Sequence, residues 1–211
     1  MSGQRCLLAA AGRWPNQAVW GPLVDSSQCI VAVDGGMSEL TSNGIKANVI
    51  IGDMDSIDYS TIDEQNDAEI IEVPSQNESD LVKAFNWCSE NGYNAVDVVG
   101  VSGGRTDHII ATFAALNEAP KDLEIKLFLE DCVAFLVNNN TVVETGVGQH
   151  VSVFALNGKI NDLKMSGFEY DLEGIELQLS TRGLHNIAAS INPTISFDKE
   201  STGVLLVMLF Y

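Results

Sequence analysis

The sequence predicts an α/β fold: an N-terminal three-layer domain built on a parallel sheet, followed by a C-terminal all-β sandwich. Three observations carry this. From Cys6 to about Glu130, short apolar runs of strand length alternate with helix-like segments, the pattern of a parallel sheet covered by helices. Beyond Glu130 the helical period disappears, and short β-rich runs are separated by turn residues. Finally, glycine- and aspartate-rich segments recur directly after the strands of the first half, where an open parallel sheet gathers its ligand-binding loops.

Taken in order, the expected strands of the first half are Cys6–Ala11, Cys29–Val33, Asn48–Ile51, Glu69–Val73, Asp97–Val101 and Glu124–Leu129. Glu78–Asn91 is the clearest helix, with Leu81, Ala84, Phe85 and Cys88 at helical spacing and Gly92 just beyond its end. Thr106–Asn117 is the second, with Ile109, Ile110, Phe113 and Leu116 on one side. In the second half the expected strands are Val133–Val137, Thr141–Glu144, Val151–Leu156, Ile175–Leu179, Thr194–Phe197 and Val204–Phe210, with turns such as Asn157-Gly158 between them. The boundary falls near residues 120–135, which divides the chain into domains of residues 1–125 and 126–211.

Composition narrows the function. The chain of 211 residues is long enough to bury a full core, and 45% hydrophobic content argues against disorder despite a formal charge of -18. Only 11 Lys and Arg stand against 29 Asp and Glu, which removes a broad basic surface and makes nucleic acid an unexpected partner. Cys6, Cys29, Cys88 and Cys132 are far apart in the chain, without a CxxC pair, and read as buried small hydrophobes of a reducing cytosol. The N-terminus, Met1 to Leu8, holds one Arg followed by an apolar run of strand length, too short for a signal-peptide core, and nothing reaches membrane-spanning length, so the expected location is the cytoplasm and no membrane partner is expected.

Four segments carry candidate chemistry. Asp34-Gly35-Gly36 follows a strand; the glycines let backbone approach a ligand and Asp34 can accept from a hydroxyl or hold a metal-bound water, while a plain Asp-initiated turn is the competing reading. Gly52-Asp53-Met54-Asp55-Ser56 places two carboxylates at i and i+2 of extended chain, roughly 7 Å apart on one side, a spacing that suits a hard cation such as Mg²⁺ on a nucleoside triphosphate. Here the competing reading is an Asp-rich turn with Ser56 as a helix cap. In Asn77-Glu78-Ser79-Asp80, Ser79 and Asp80 suit the first turn of a helix in any case; the functional reading adds Asp80 to the cation site and Lys83 to a phosphate oxygen, with Ser79 or Glu78 as alternative partners for Lys83. Gly103-Gly104-Arg105-Thr106-Asp107-His108 joins a strand to a helix N-terminus, a ready anion site with Arg105 placed for a phosphate. It is neither a Walker A loop nor a dinucleotide fingerprint, and His108 by itself reads more often as a satisfied core or capping histidine than as a catalytic base.

In this order the four segments closely resemble the thiamin pyrophosphokinase family, and Gly167-Phe168-Glu169-Tyr170 with Leu172, then Arg182-Gly183-Leu184-His185-Asn186, resemble its β-sandwich. The resemblance covers nearly the whole chain. It implies transfer of diphosphate from ATP to the hydroxyl of thiamine, giving thiamine diphosphate and AMP. It also implies a homodimer in which thiamine lies between the α/β domain of one chain and the sandwich of the other. By the same similarity Asp53, Asp55 and Asp80 hold Mg²⁺ with Asp34 and Asp107 nearby, and the segment around Phe168, Tyr170, His185 and Asn186 receives the vitamin. The chain departs from the family's usual pattern at Asn77, where an Asp is usual, and at His185, where a Ser is usual. A cationic thiazolium favours an acidic, aromatic-lined cleft, and Phe168, Glu169, Tyr170 and Asp171 offer both characters; an ordinary amphipathic strand and turn is the competing reading. Two other functions stand beside it: a metal-dependent nucleotide-sugar transferase, which an Asp-x-Asp pair at a strand end also suits, and a non-catalytic binder of thiamine or nucleotide, which Asn77 and His185 make conceivable.

Overall fold

The structure, a computed structural model, describes residues 4–52, 67–74 and 77–211. The chain divides into two compact units, Met1–Glu130 and Asp131–Tyr211.

The first unit is a mixed α/β layer structure. Its strands are β1 (Arg5–Ala9), β2 (Cys29–Val33), β3 (Val49–Gly52), β4 (Glu69–Glu72), β5 (Ala95–Val99) and β6 (Glu124–Phe128). They lie in the order β6-β5-β1-β2-β3-β4, and every pairing is parallel. The described helices are α1 (Gln17–Ser26), α2 (Gly36–Ser42), α3 (Asp80–Glu90) and α4 (Thr106–Glu118). The central strands read as near-continuous apolar runs because both of their faces are covered. One face buries Leu7, Ala9, Ala32 and Ile50 against Met37 and Leu40 of α2 and the Trp20–Val24 side of α1. Helix α3 packs against β2 and β3, bringing Val82, Phe85 and Cys88 to the sheet.

Progress along the chain runs from β1 outward to β4 and then returns to β5 on the other side of β1. The direction of winding therefore reverses between β1 and β5. In open α/β sheets the crevice outside the carboxyl ends of the strands at this point is where ligands bind.

The second unit contains two antiparallel sheets. One has the order β12 (Asn186–Ile187), β9 (His150–Leu156), β14 (Val204–Phe210), β7 (Cys132–Val137). The other has β11 (Leu172–Leu177), β10 (Ile160–Ser166), β13 (Thr194–Ser196), β8 (Thr141–Val142). Val151, Val153, Leu205 and Val207 of the first share one core with Ile160, Leu163, Met165 and Ile195 of the second.

Several elements differ from expectation. Helix α1 is hidden in the sequence, because Gly21 and Pro22 lie within it and no residue is fully buried to produce an apolar period; Asn16 caps it through Oδ1, and Trp20 meets Trp14 edge-on at 5.5 Å. Helix α2, with 7 residues, is too short to show periodicity. Strand β10 is hidden too, since a bulge between Ile160 and Leu163, with Asp162 at φ 51°, breaks the two-residue alternation of its buried side chains. Strand β5 ends two residues before the expected Val101, since Gly100 turns the chain at φ 78°, and β11 begins at Leu172 rather than Ile175.

Candidate active site

The loops after β1 and β5 meet at the switch point. Gly12 N–H donates to the Gly100 carbonyl at 2.7 Å, and Arg13 N–H donates to the Ser102 carbonyl at 2.8 Å in an isolated antiparallel bridge. Glycine is required here for space as well as for conformation: a Cβ on Gly100 would stand 2.0 Å from the Ala10 carbonyl oxygen. Arg13 extends past Gly103 and pairs with Glu130 at 3.2 Å. Arg13 and Glu130 were not among the residues singled out from sequence. The available signal was the small-residue run Ala9-Ala10-Ala11-Gly12 directly after an apolar strand, with a cation at its end.

Asp34 sits at the corresponding end of β2 with φ 48°, its N–H donating to the Ile51 carbonyl at 2.8 Å. The start of α2 lies so close to β1 that a Cβ on Gly36 would be 1.9 Å from the Ala9 carbonyl oxygen. Gly52, the last residue of β3, lies against the Asp34 backbone. The Asp34 Oδ1 atom is buried and finds no hydrogen-bond partner among the described residues. A buried carboxylate oxygen in that condition is costly unless a cation or donor completes it, so the donor chemistry at this strand end suits a hard divalent cation. Asp53, Met54, Asp55 and Ser56 follow directly in sequence and lie outside the described residues. Among the described residues no group of three His, Cys, Asp or Glu side chains is arranged to hold a metal ion.

At the start of α3, Ser79 is the N-cap, its Oγ accepting from Val82 N–H at 3.4 Å. Asp80 opens the first turn, where the helix dipole favours its charge. Lys83 is bonded to Asp80, Nζ to Oδ1 at 2.8 Å, rather than to Ser79 or Glu78. Its side chain is only 4% exposed against 29% for Asp80, so a buried ammonium holds a carboxylate that keeps one side toward solvent. The Glu78 carboxylate instead accepts from Asn86 at 3.5 Å.

The Gly103-Gly104 turn has both residues at φ 74° and leads into α4. Arg105 occupies the N-cap position without a side-chain cap bond. Its guanidinium grips Asp107 through two bonds, 3.1 and 2.7 Å, on the open surface. This pairing holds the Asp107 carboxyl below its ordinary range and the Arg105 guanidinium above its own. His108 is exposed and its N–H donates to Asp107 at 3.0 Å.

In the first unit Asp34, Gly35, Gly36, Asp80, Lys83, Gly103, Gly104, Arg105 and Asp107 lie on segments that enter or leave the strands of one parallel sheet. The second unit brings together the residues expected to bind an aromatic cation. Phe168 is buried and its N–H donates to Asp171 at 3.0 Å, while the Tyr170 side chain stands out, 66% exposed. Asn186 is buried, and its side-chain amide bonds the Tyr170 backbone. His185 is exposed, held at φ 61° with its N–H donating to Ser152 Oγ at 3.3 Å.

A wound parallel sheet with glycine turns at its switch point and carboxylates at its strand ends defines an open α/β protein whose ligand crevice lies outside the carboxyl ends of the strands. A family model described as "Thiamin pyrophosphokinase, catalytic domain" matches residues 20–129. A thiamine pyrophosphokinase of Bacillus subtilis is 26% identical over 186 residues, covering 84% of this chain and 85% of that one. Among solved structures, a Bacillus subtilis thiamine pyrophosphokinase superposes with a TM-score of 0.85 at 21% identity, covering 98% of each chain. The yeast thiamin pyrophosphokinase gives 0.82 at 15% identity, covering all of this chain and 87% of that one. The chain belongs to the thiamin pyrophosphokinase family, whose enzymes make thiamine diphosphate from thiamine and ATP. It is accordingly a transferase that takes ATP as co-substrate.

Proposed function

We propose that the chain transfers the diphosphate of ATP to the hydroxyl of thiamine at the C-terminal edge of its parallel sheet, using Asp53, Asp55 and Asp80 to hold Mg²⁺. The observation that carries this reading is the buried Oδ1 of Asp34, without a hydrogen-bond partner among the described residues, at the same edge as Asp80. A cation held by these aspartates would neutralise charge on the polyphosphate as transfer proceeds.

The thiamine hydroxyl oxygen bonds to the β-phosphorus while the bond from that phosphorus to the oxygen bridging it to the α-phosphate breaks, and AMP departs with the bridging oxygen. The alcohol proton passes to an aspartate of the site. Lys83 holds the Asp80 carboxylate in one orientation. Gly35, Gly36 and Ser79 supply close backbone and hydroxyl contacts. The turn of Gly103 and Gly104 presents the N-terminus of α4, and Arg105 exchanges its bond with Asp107 for one with a phosphate. Ser56 and His108 stand beside the nucleotide in this reading.

The second unit, Asp131–Tyr211, forms the thiamine-binding and dimerisation sandwich, and the first, Met1–Glu130, the ATP and Mg²⁺ domain, a boundary five residues later than the expected one because β6 belongs to the parallel sheet. Two chains make a cytoplasmic homodimer with thiamine between the α/β domain of one and the sandwich of its partner. Phe168, Tyr170 and His185 contact the vitamin, and Asn186 positions Tyr170. No described helix is long and apolar enough to cross a membrane.

The test is direct. Purified chain with ATP, Mg²⁺ and thiamine is expected to form AMP and thiamine diphosphate in equal amounts, and Asp55→Asn is expected to abolish this while the fold persists. Release of ADP in place of AMP, or tight binding of both substrates without turnover, overturns the reading.

A further inference from the structure

Three of the four cysteines, remote in sequence, meet in the first unit. Cys6 of β1 and Cys29 of β2 are direct register partners on adjacent parallel strands, so their side chains leave the same face of the sheet. Cys88 lies on the buried side of α3. The Cys6 thiol interacts with the thiols of Cys29 and Cys88, and Cys29 also with the hydroxyl of Tyr93. All are free thiols, and they are not arranged as a metal-binding group.

The three sulfurs are not equivalent. The neighbouring thiol of Cys6 foremost, and then the Tyr93 hydroxyl, push the Cys29 thiol down against the opposing effects of burial and Glu69. The Cys6 thiol is pushed strongly upward by the thiols of Cys29 and Cys88 and by burial. Cys29 is therefore the thiol of the pair that loses its proton more readily, and the thiolate is the form that attacks oxidants. It is also the least buried of the three. Cys6 and Cys88 are completely buried, whereas Cys29 retains 5% exposure and opens β2 directly after Gln28. Gln28, Arg5 and Asn94 line an open cavity of about 630 Å³ with Ser26 and Glu124. That cavity lies where β1, β5 and β6 begin, at the edge of the sheet opposite to the carboxylates.

We propose that Cys6 and Cys29 form a peroxide-sensitive dithiol, a modification site separate from the substrate-binding edge. The Cys29 thiolate attacks one oxygen of hydrogen peroxide; the O–O bond breaks, the other oxygen leaves as water after taking up a proton, and Cys29 becomes a sulfenic acid. The Cys6 sulfur then attacks the Cys29 sulfur, the S–O bond breaks, and the Cys6 proton leaves with the hydroxyl as a second water. Two thiols lose two electrons and two hydrogens, and one peroxide becomes two waters. Cys88, in contact with Cys6, is the thiol to which that disulfide can exchange.

The test uses the full chain and dilute hydrogen peroxide, read by intact mass and non-reducing peptide mapping. The expected product has lost two hydrogens, joins the peptides of Cys6 and Cys29, and returns to the starting mass with dithiothreitol. Cys132, buried in the other unit and pushed up to about 12 by burial and Asp131, is an internal control expected to stay reduced. In Cys6→Ser, Cys29 is expected to stop at the sulfenic acid and be trapped by dimedone. Four unreacted thiols in the folded parent chain overturn the proposal, as does a first disulfide lacking Cys29 or oxidation that begins at Cys132. The parent-chain map decides the matter even if a variant fails to fold.

Discussion

The side-chain amide of Asn186 pairs with both backbone groups of Tyr170: Tyr170 N–H donates to Asn186 Oδ1 at 3.1 Å, and Asn186 Nδ2 donates to the Tyr170 carbonyl at 2.8 Å. Oδ1 also accepts from Ile187 N–H at 2.9 Å. A buried side chain thus behaves as a strand partner for the residue whose ring projects into solvent.

Removing that clamp separates positioning from contact. Asn186→Ala leaves part-buried backbone groups unpaired, which costs about 2 kcal/mol of stability. With Tyr170 no longer held, KM for thiamine is expected to rise about 10-fold, equivalent to about 1.4 kcal/mol, while KM for ATP is unchanged. Steady-state kinetics with each substrate varied in turn checks this, and an equal rise in both constants counts against a local role.

Lys83 is expected to matter more for turnover than for stability. Its ammonium is buried, and replacing it by the apolar Met in Lys83→Met removes a desolvated charge, so stability should stay within about 1 kcal/mol of the parent. The Asp80 carboxylate then loses its orienting bond, and kcat is expected to fall by about 100-fold. Thermal denaturation and turnover of the same preparation test the two halves of this statement.

Gly100 and Gly44 distinguish crowding from conformation. Both have positive φ, 78° and 69°, but a Cβ on Gly100 meets the Ala10 carbonyl oxygen whereas one on Gly44 meets nothing within 4 Å. Gly44→Ala should cost about 1 kcal/mol, the conformational contribution alone. Gly100→Ala should cost about 3 kcal/mol because the loops after β1 and β5 are forced apart as well. Chemical denaturation of both variants measures the difference, and activity should fall only in the second.

Arg5 and Asp97 carry a pH signature. Arg5 Nη1 meets Asp97 Oδ2 at 2.7 Å, and the Asp97 side chain is 1% exposed with Oδ1 unpartnered among the described residues. Burial raises the Asp97 carboxyl above its ordinary 3.8, although Arg5 opposes this. The native state therefore binds this proton more tightly than the unfolded chain. Its contribution is complete below 3.8 and is lost as pH rises through the native value. Arg5→Gln strands the buried carboxylate and should cost about 3 kcal/mol at neutral pH, the low end for a broken buried pair because Arg5 is partly solvated. The deficit relative to the parent should shrink as pH is lowered toward that of an ordinary carboxyl, measured by denaturant titration at a series of pH values.

Strand placement in the first half was readable because buried parallel strands such as Cys29-Ile30-Val31-Ala32-Val33 are continuous apolar runs, and α3 announced itself through Leu81, Ala84, Phe85 and Cys88. The candidate residues were readable for a related reason. Aspartates and glycines placed directly after such runs stand at the carboxyl ends of buried strands, where the sheet opens onto its ligand crevice. Helix α1 and strand β10 were not readable, because Pro22 and the bulge at Asp162 break the periods that reveal helices and strands.

By itself, then, the order of residues determined the alternation of elements, the absence of a basic surface and the ordered aspartate and glycine motifs, since each depends on side chains near one another in the chain. The tertiary structure decided which distant groups became neighbours. Strand order brings Arg13 to Ser102 and Cys6 to Cys29, packing gives Lys83 to Asp80 instead of Glu78, and the second unit's fold commits the Asn186 amide to Tyr170. Long-range pairing depends on burial and backbone register across the whole sheet, which no local window of residues contains.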